Sequence, residues 1–170
     1  MATWNLDPSH SEVSFKVKHM MIANVTGNIG KFEVKAESEE DNFSNPKIEF
    51  TADMSTISTG DAQRDGHLHA ADFFDVVNFP HLTFVSTSYN NGKLTGDLKI
   101  KDISKSITLD VEDGGTGKDP WGNTRIGFTI TGKISRKDWN LNWNAALETG
   151  GVLVSDEVRI LCEVQLIKAS

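Results

Sequence analysis

Apolar and polar residues alternate one for one through most of this chain, the pattern that a half-buried β-strand requires. Val13, Phe15 and Val17 alternate with Ser14, Lys16 and Lys18. Phe32, Val34 and Ala36 alternate with Glu33, Lys35 and Glu37, and Ile48, Phe50, Ala52 and Met54 with Glu49, Thr51 and Asp53. Leu82 and Phe84 continue the theme before a serine-rich stretch. Further on, Leu94, Leu98 and Ile100 share one phase, as do Ile107, Leu109 and Val111. Ile126, Phe128, Ile130 and Ile134 follow, and Val158, Ile160, Cys162, Val164 and Leu166 close the chain. A period of two sends each set to one face of a sheet. Strands with one wet face need antiparallel neighbours. About eight of them with short connections predict an all-β barrel or sandwich. A barrel has no exposed edges, and eight strands leave room for one small ligand.

Asn91-Gly92 reads as a tight hairpin turn. Asp102 to Lys105 reads as another short connection, and Gly114-Gly115 as the start of a longer loop through Pro120-Trp121-Gly122. Two segments break the strand pattern. Residues 55–80 contain His67 to Phe74, a stretch that predicts one or two helical turns. Residues 137–157 contain Trp139, Trp143 and Ala145-Ala146-Leu147. Insertions of this length serve as lids or binding loops, or plug the barrel ends. No repeat or linker divides the chain, so residues 1–170 read as a single domain. At 170 residues it buries enough surface to need no staple. The lone Cys162 cannot form an internal disulfide, and its inward phase makes it an inert core thiol.

The net charge of −7 argues against nucleic acid, which is bound by clustered Lys and Arg, and against anionic membrane surfaces. No apolar run approaches the roughly 20 residues of a membrane span. The start, Met1 to Asp7, has neither the basic nor the apolar stretch of a signal peptide. A soluble, cytoplasmic protein is the expectation, or a periplasmic one if a leader was trimmed.

Candidate chemistry is sparse. His67 and His69, with Asp72 nearby, suggest a metal-assisted enzyme. On a helix, however, residues two apart diverge by about 200°, and zinc needs further ligands. His10 and Ser11 are adjacent and on an extended chain point to opposite faces, which misplaces the serine for activation. Asp7, Asp72, Asp75 and Asp138 are the acid–base candidates, and Asp7 and Asp138 look like cap or turn positions. Arg64 either meets a ligand head group or pairs with Asp65, Asp72 or Asp75. No phosphate loop or nucleophile elbow is present. These readings predict no enzyme, no catalytic residues, no metal and no cofactor. What remains is the apolar inward face, which encloses a cavity or packs into a solid structural core.

The order of several motifs resembles the YceI-like family of lipocalin-like, polyisoprenoid-binding proteins. Trp4-Asn5-Leu6-Asp7-Pro8-Ser9-His10-Ser11-Glu12-Val13-Ser14-Phe15 is similar to the family's opening, and Val17-Lys18-His19 followed by Val25-Thr26-Gly27 continues it. The most specific stretch runs from Asp61 to Phe84, through Arg64-Asp65-Gly66-His67-Leu68, Phe73-Phe74-Asp75 and Phe79-Pro80-His81-Leu82-Thr83-Phe84. Leu94 to Ile100, Ser135-Arg136-Lys137-Asp138-Trp139 and Val158-Arg159-Ile160 with Glu163 follow in order. Asn140 stands where the family often has glycine.

The resemblance implies an extended antiparallel eight-stranded barrel with an apolar channel, a short helix and loop lids. It also implies a long apolar ligand such as a polyisoprenoid, an isoprenoid quinone-like lipid or a fatty amide, and a homodimer in some members. Strand phase and resemblance together place Phe15, Val17, Phe32, Phe50, Phe84 and Leu98 toward the ligand. Ile100, Leu109, Phe128, Ile130, Ile160 and Val164 are placed with them. Phe73, Phe74, Trp139 and Trp143 are expected to guard a mouth, and His10, Arg64 and His67 to meet a head group. A tail of some forty carbons could gain about 12 kcal/mol at about 0.3 kcal/mol per atom.

Overall fold

Among the described residues, eleven strands form one antiparallel sheet that closes on itself. The structure is a computed structural model, and it describes residues 2–19, 22–40, 43–142 and 154–169. The strands are β1 (Ala2–Leu6), β2 (Glu12–His19), β3 (Ala23–Ile29), β4 (Phe32–Ser38), β5 (Lys47–Asp53), β6 (Ile57–Ser58), β7 (His81–Asn90), β8 (Lys93–Ile100), β9 (Ile103–Lys118), β10 (Thr124–Ser135) and β11 (Val154–Lys168). One α-helix, α1 (Ala62–His69), lies between β6 and β7.

Closure comes from β1, which pairs with β4 on one side and with the end of β11 on the other. The ring β1-β4-β5-β7-β8-β9-β10-β11 is a closed eight-strand barrel. The remaining strands lengthen it. β2 pairs with the first part of β11, between Val154 and Glu163, so β1 and β2 lie along the same edge. The Pro8–His10 3-10 turn splits them. β3 and β4 are split likewise at Gly30-Lys31, and β5 and β6 by the Met54–Thr56 3-10 turn. Each split pair was one strand or none in the alternation pattern.

Asn91 and Gly92 both adopt positive φ, as a type I′ hairpin requires. The β8–β9 turn is Lys101-Asp102 rather than Asp102 to Lys105, since Ile103 already pairs with Ile100. β9 also continues past Gly114-Gly115. Gly127 pairs with Gly115 but Phe128 with Asp113, so Gly114 is an extra residue in a bulge and only residues 119–123 form the loop. The helix begins earlier than expected, because Asp61 caps it by accepting the Arg64 amide at 3.0 Å, and it ends at His69. In the second insertion, β10 leads into a 3-10 turn at Arg136–Trp139, and residues 154–157 belong to β11. Asn140 closes that turn with φ of 59°, a left-handed conformation that asparagine tolerates where the family often has glycine.

Outward positions such as Lys16, Lys18, Glu33 and Lys35 are exposed, so the outer surface is wet and the apolar phase faces in. Three buried clusters result. One lies under α1 along β7–β9, one at the opposite end around Trp4 and Phe128, and one at the seam of β2, β3 and β5.

Candidate functional site

The inward faces do not meet. They surround a cavity of about 730 Å³. Its wall is almost entirely aliphatic and aromatic, with residues from β2 through β11. The lumen stays open partly because bulky side chains lie along the wall. Phe15 pairs across the sheet with Gly27, Phe84 lies over Gly96, and Leu109 over Gly132. A Cβ at any of the three would come within 2.5 Å of that side chain.

The two ends differ. Asp61 and Gln63 line the cavity while remaining exposed, so it reaches the surface at the α1 end. The other end is floored by Phe43 and Phe128, their centroids 5.0 Å apart, with Trp4 edge-on to Phe43 at 5.5 Å. Trp4 is almost fully buried, and its indole N–H donates to Ser38 Oγ at 3.0 Å.

Polar side chains gather at the open end. Arg64 lines the cavity, donating from Nε to Thr59 Oγ1 at 2.7 Å and from Nη2 to the Thr59 carbonyl at 3.0 Å. Thr59 in turn donates to Asp65 at 2.6 Å, so Arg64 is held through Thr59 and forms no direct ion pair among the described residues. His67 Nε2 lies 3.0 Å from Asp72 Oδ2, and its ring stands edge-on to Phe73. Arg136 is 2% exposed and also lines the cavity. Its guanidinium donates to the carbonyls of Ser155 and Leu141 and lies over the Phe73 ring. Burial lowers the Arg136 pKa, against an opposing pull from Asp156. Cys162 faces the lumen, and burial pushes its thiol up to about 12, so it remains protonated.

The family model for the YceI-like domain matches residues 4–166. The chain belongs to the YceI-like family. A UPF0312 protein of Staphylococcus aureus is 38% identical over 160 residues, covering 94% of each chain. Among solved structures, the YCEI protein of Campylobacter jejuni superposes with a TM-score of 0.77 at 31% identity, over 91% of both chains. BcnA of Burkholderia cenocepacia gives 0.79 at 24%, covering 94% of this chain and 98% of its own. A polyisoprenoid binding domain from Saccharophagus degradans gives 0.72 at 14%, over 98% of both. The last two likenesses speak to the fold alone.

Within this YceI-like barrel, most residues singled out from strand phase line the cavity. Phe15, Val17, Phe50, Phe84, Leu98 and Ile100 do, as do Leu109, Phe128, Ile130, Ile160 and Val164. Phe73 and Phe74 reach it from the loop after α1, and Arg64 and His67 from the helix itself. Three expectations are corrected. Phe32 is half-buried beside Phe50, 5.7 Å away, but at the Gly30-Lys31 break it lies off the lumen. Trp139 guards no mouth: it is 1% exposed and its indole donates to the Leu98 carbonyl at 2.9 Å. His10 meets no part of the cavity, because its Nδ1 is turned to Asp7 at 2.8 Å. Trp143 lies outside the described residues.

The cavity also removes the solid-core alternative. The metal alternative loses its geometry, since His69 Nε2 turns to the Ile57 carbonyl while His67 turns to Asp72. Ser9, His10 and Asp7 touch one another, but both contacts of the imidazole fall on Nδ1, so no proton relay runs through it. Asp7, Asp72 and Asp75 each turn to a different partner, Arg125, His67 and Asn78 respectively. Sequence reading missed Phe43 and Arg136. Phe43 is a lone aromatic in an otherwise polar turn, which was the available signal. Nothing in the alternation pattern marks a buried arginine.

Proposed function

We propose that this YceI-like barrel binds a long isoprenoid lipid with its tail in the lumen and its polar end at the α1 mouth beside Arg64 and His67. It acts by carrying or storing the lipid rather than transforming it. The apolar cavity of about 730 Å³ carries this reading. Held dry and unfilled, a void of that size would cost about 18 kcal/mol at about 24 cal/mol per Å³, more than the stability of a typical domain. Such a lumen is a place for an occupant.

An isoprenoid tail suits it. Each buried methylene is worth about 0.8 kcal/mol, and a hydrocarbon asks for no hydrogen bonds from a wall that offers few. The Saccharophagus degradans domain of the same fold is described as polyisoprenoid-binding, which supports the same ligand class. Arg64, pre-positioned by Thr59, offers a charged donor to the head group of an amphiphile.

The test is organic extraction of the purified protein followed by mass spectrometry, alongside native mass spectrometry of the intact complex. A co-purifying apolar lipid near one per chain is expected. Protein that takes up no prenyl lipid even after incubation with lipid vesicles would sink the proposal.

A further inference from the structure

The chain carries a net charge of −7, but the open end of its lumen leans the other way. Apart from His19 and His67, the charged side chains lining the cavity among the described residues are Arg64, Arg136 and Asp61. Asp61 is exposed, and its Oδ1 caps α1 by accepting the Arg64 amide at 3.0 Å. Arg136 belongs to the same end: its guanidinium lies 5.9 Å from the Phe73 ring centroid, and the His67 ring lies 5.7 Å from that centroid. Two guanidiniums thus stand against one carboxylate where an apolar lumen meets water, a border at which charge is felt more strongly than in the open solvent.

Arg64 is held in a particular way. A guanidinium presents its N–H donors in a plane, as paired edges that match the two oxygens of a carboxylate or phosphate. Thr59 takes one such edge of Arg64, the one formed by Nε and Nη2. The other edge, formed by Nη1 and the second hydrogen of Nη2, has no partner among the described residues. The neighbouring carboxylate does not fill it. Asp65 Oδ1 accepts from the Thr59 amide at 2.8 Å and the Thr59 hydroxyl at 2.6 Å, and its Oδ2 from Ser58 at 3.1 Å. The guanidinium is therefore fixed before any ligand arrives, and less freedom is lost on binding. A neutral quinone or alcohol oxygen would use this edge poorly, whereas an oxyanion would use both donors and the charge. We propose that the open edge of Arg64 is an oxyanion site, and that the lipid of this barrel is an anionic isoprenoid amphiphile with a phosphate or carboxylate head. This rests on the binding reading above and adds to it the charge of the head group and the residue that selects it.

Three lipids with one tail and different heads test this: geranylgeraniol, geranylgeranyl phosphate and geranylgeranoic acid, each presented from phosphatidylcholine vesicles at neutral pH and its Kd measured. At least one of the two anions should bind about tenfold tighter than the alcohol, the gain expected of a charge-assisted hydrogen bond. Which anion gains more tells a phosphate head from a carboxylate. Raising salt from about 0.05 M to about 0.5 M should weaken the favoured anion and leave the alcohol unchanged. Arg64→Gln should lower the anion-to-alcohol affinity ratio at least fivefold, and Arg64→Lys, which keeps the charge, should retain more of it. If Arg64→Gln does not fold, Thr59→Val, which removes the hydroxyl that fixes Nε, should move the ratio the same way. No binding of any of the three lipids would sink the carrier reading and the oxyanion site with it. An alcohol that binds as tightly as both anions would leave the carrier reading intact and overturn the oxyanion site. So would a ratio unchanged in folded Arg64→Gln.

Discussion

Phe15 and Gly27 face each other across β2 and β3 so closely that a Cβ on Gly27 would lie 2.2 Å from Phe15 Cζ. The bare backbone of β3 is what allows the phenyl ring to lie along the wall. Gly27→Ala forces the ring off the wall and into the lumen. We expect a loss of about 1–3 kcal/mol, the usual range for overpacking, and weaker lipid binding. Urea denaturation checks the first and a prenyl alcohol titration the second. Unchanged stability would mean the ring has space to move that the register does not provide.

Trp139 is a fixture of the core. Its indole N–H supplies the Leu98 carbonyl with a buried partner. Trp139→Phe keeps an aromatic ring but leaves that carbonyl without this donor, which costs about 1–3 kcal/mol. The measurement is denaturant unfolding at neutral pH. Stability equal to the unmodified protein would show that the hydrogen bond contributes nothing there.

Acid should unfasten the Trp4 end of the barrel. Arg125 bridges Asp7 at 2.6 Å and Asp119 at 2.8 Å, joining the break between β1 and β2 to the β9–β10 turn. Hydrogen bonds from Ser9 and then Arg125 hold the Asp7 carboxyl well below the usual carboxylate range. Burial opposes ionisation of Asp119. Arg125, with the amides of Asn123 and Trp121, outweighs it and brings that carboxyl down to about 2. Both pKa values are depressed by folding, so the stabilisation is fully present above the unfolded value of about 3.9 and drains away as pH falls toward about 2. Melting temperature should therefore drop across that window. Arg125→Met should lower it at neutral pH and flatten the acid dependence. A variant with an unchanged acid profile would show that the bridge is not what titrates.

Much of the barrel was legible because its energetics are local and periodic. Phe128, Ile130 and Ile134 could only share a face if β10 was extended, and Asn91-Gly92 admits few turns besides the one found. Short strands were harder. Ala2, Trp4 and Leu6 alternate over only five residues, and β3 carries Gly27 at an inward position where an apolar side chain is expected. The three breaks in the wall were invisible, since a 3-10 turn such as Pro8–His10 replaces a strand without changing composition.

The site was less legible than the fold. Trp139 belongs in the core because of a partner 41 residues away, a distance no pattern encodes. Arg136 is buried because backbone carbonyls of Leu141 and Ser155 surround its guanidinium. Phe43 reaches the lumen through a left-handed backbone, which local preferences disfavour. In each case the decisive contact is made by chain folding back from elsewhere or by a conformation the residue type resists.

The account stands on lipid occupying the lumen, and obstructing the lumen tests this most directly. Ile130 projects into the middle of the cavity from β10, between Val111 and Cys162 on the neighbouring strands. Ile130→Trp places a large ring across the channel without touching the mouth residues Arg64 and His67. Mass spectrometry of organic extracts, with folding verified by circular dichroism, should find prenyl lipid bound per chain reduced at least tenfold in Ile130→Trp. A folded Ile130→Trp protein carrying as much lipid as the unmodified one would contradict a ligand inside the barrel.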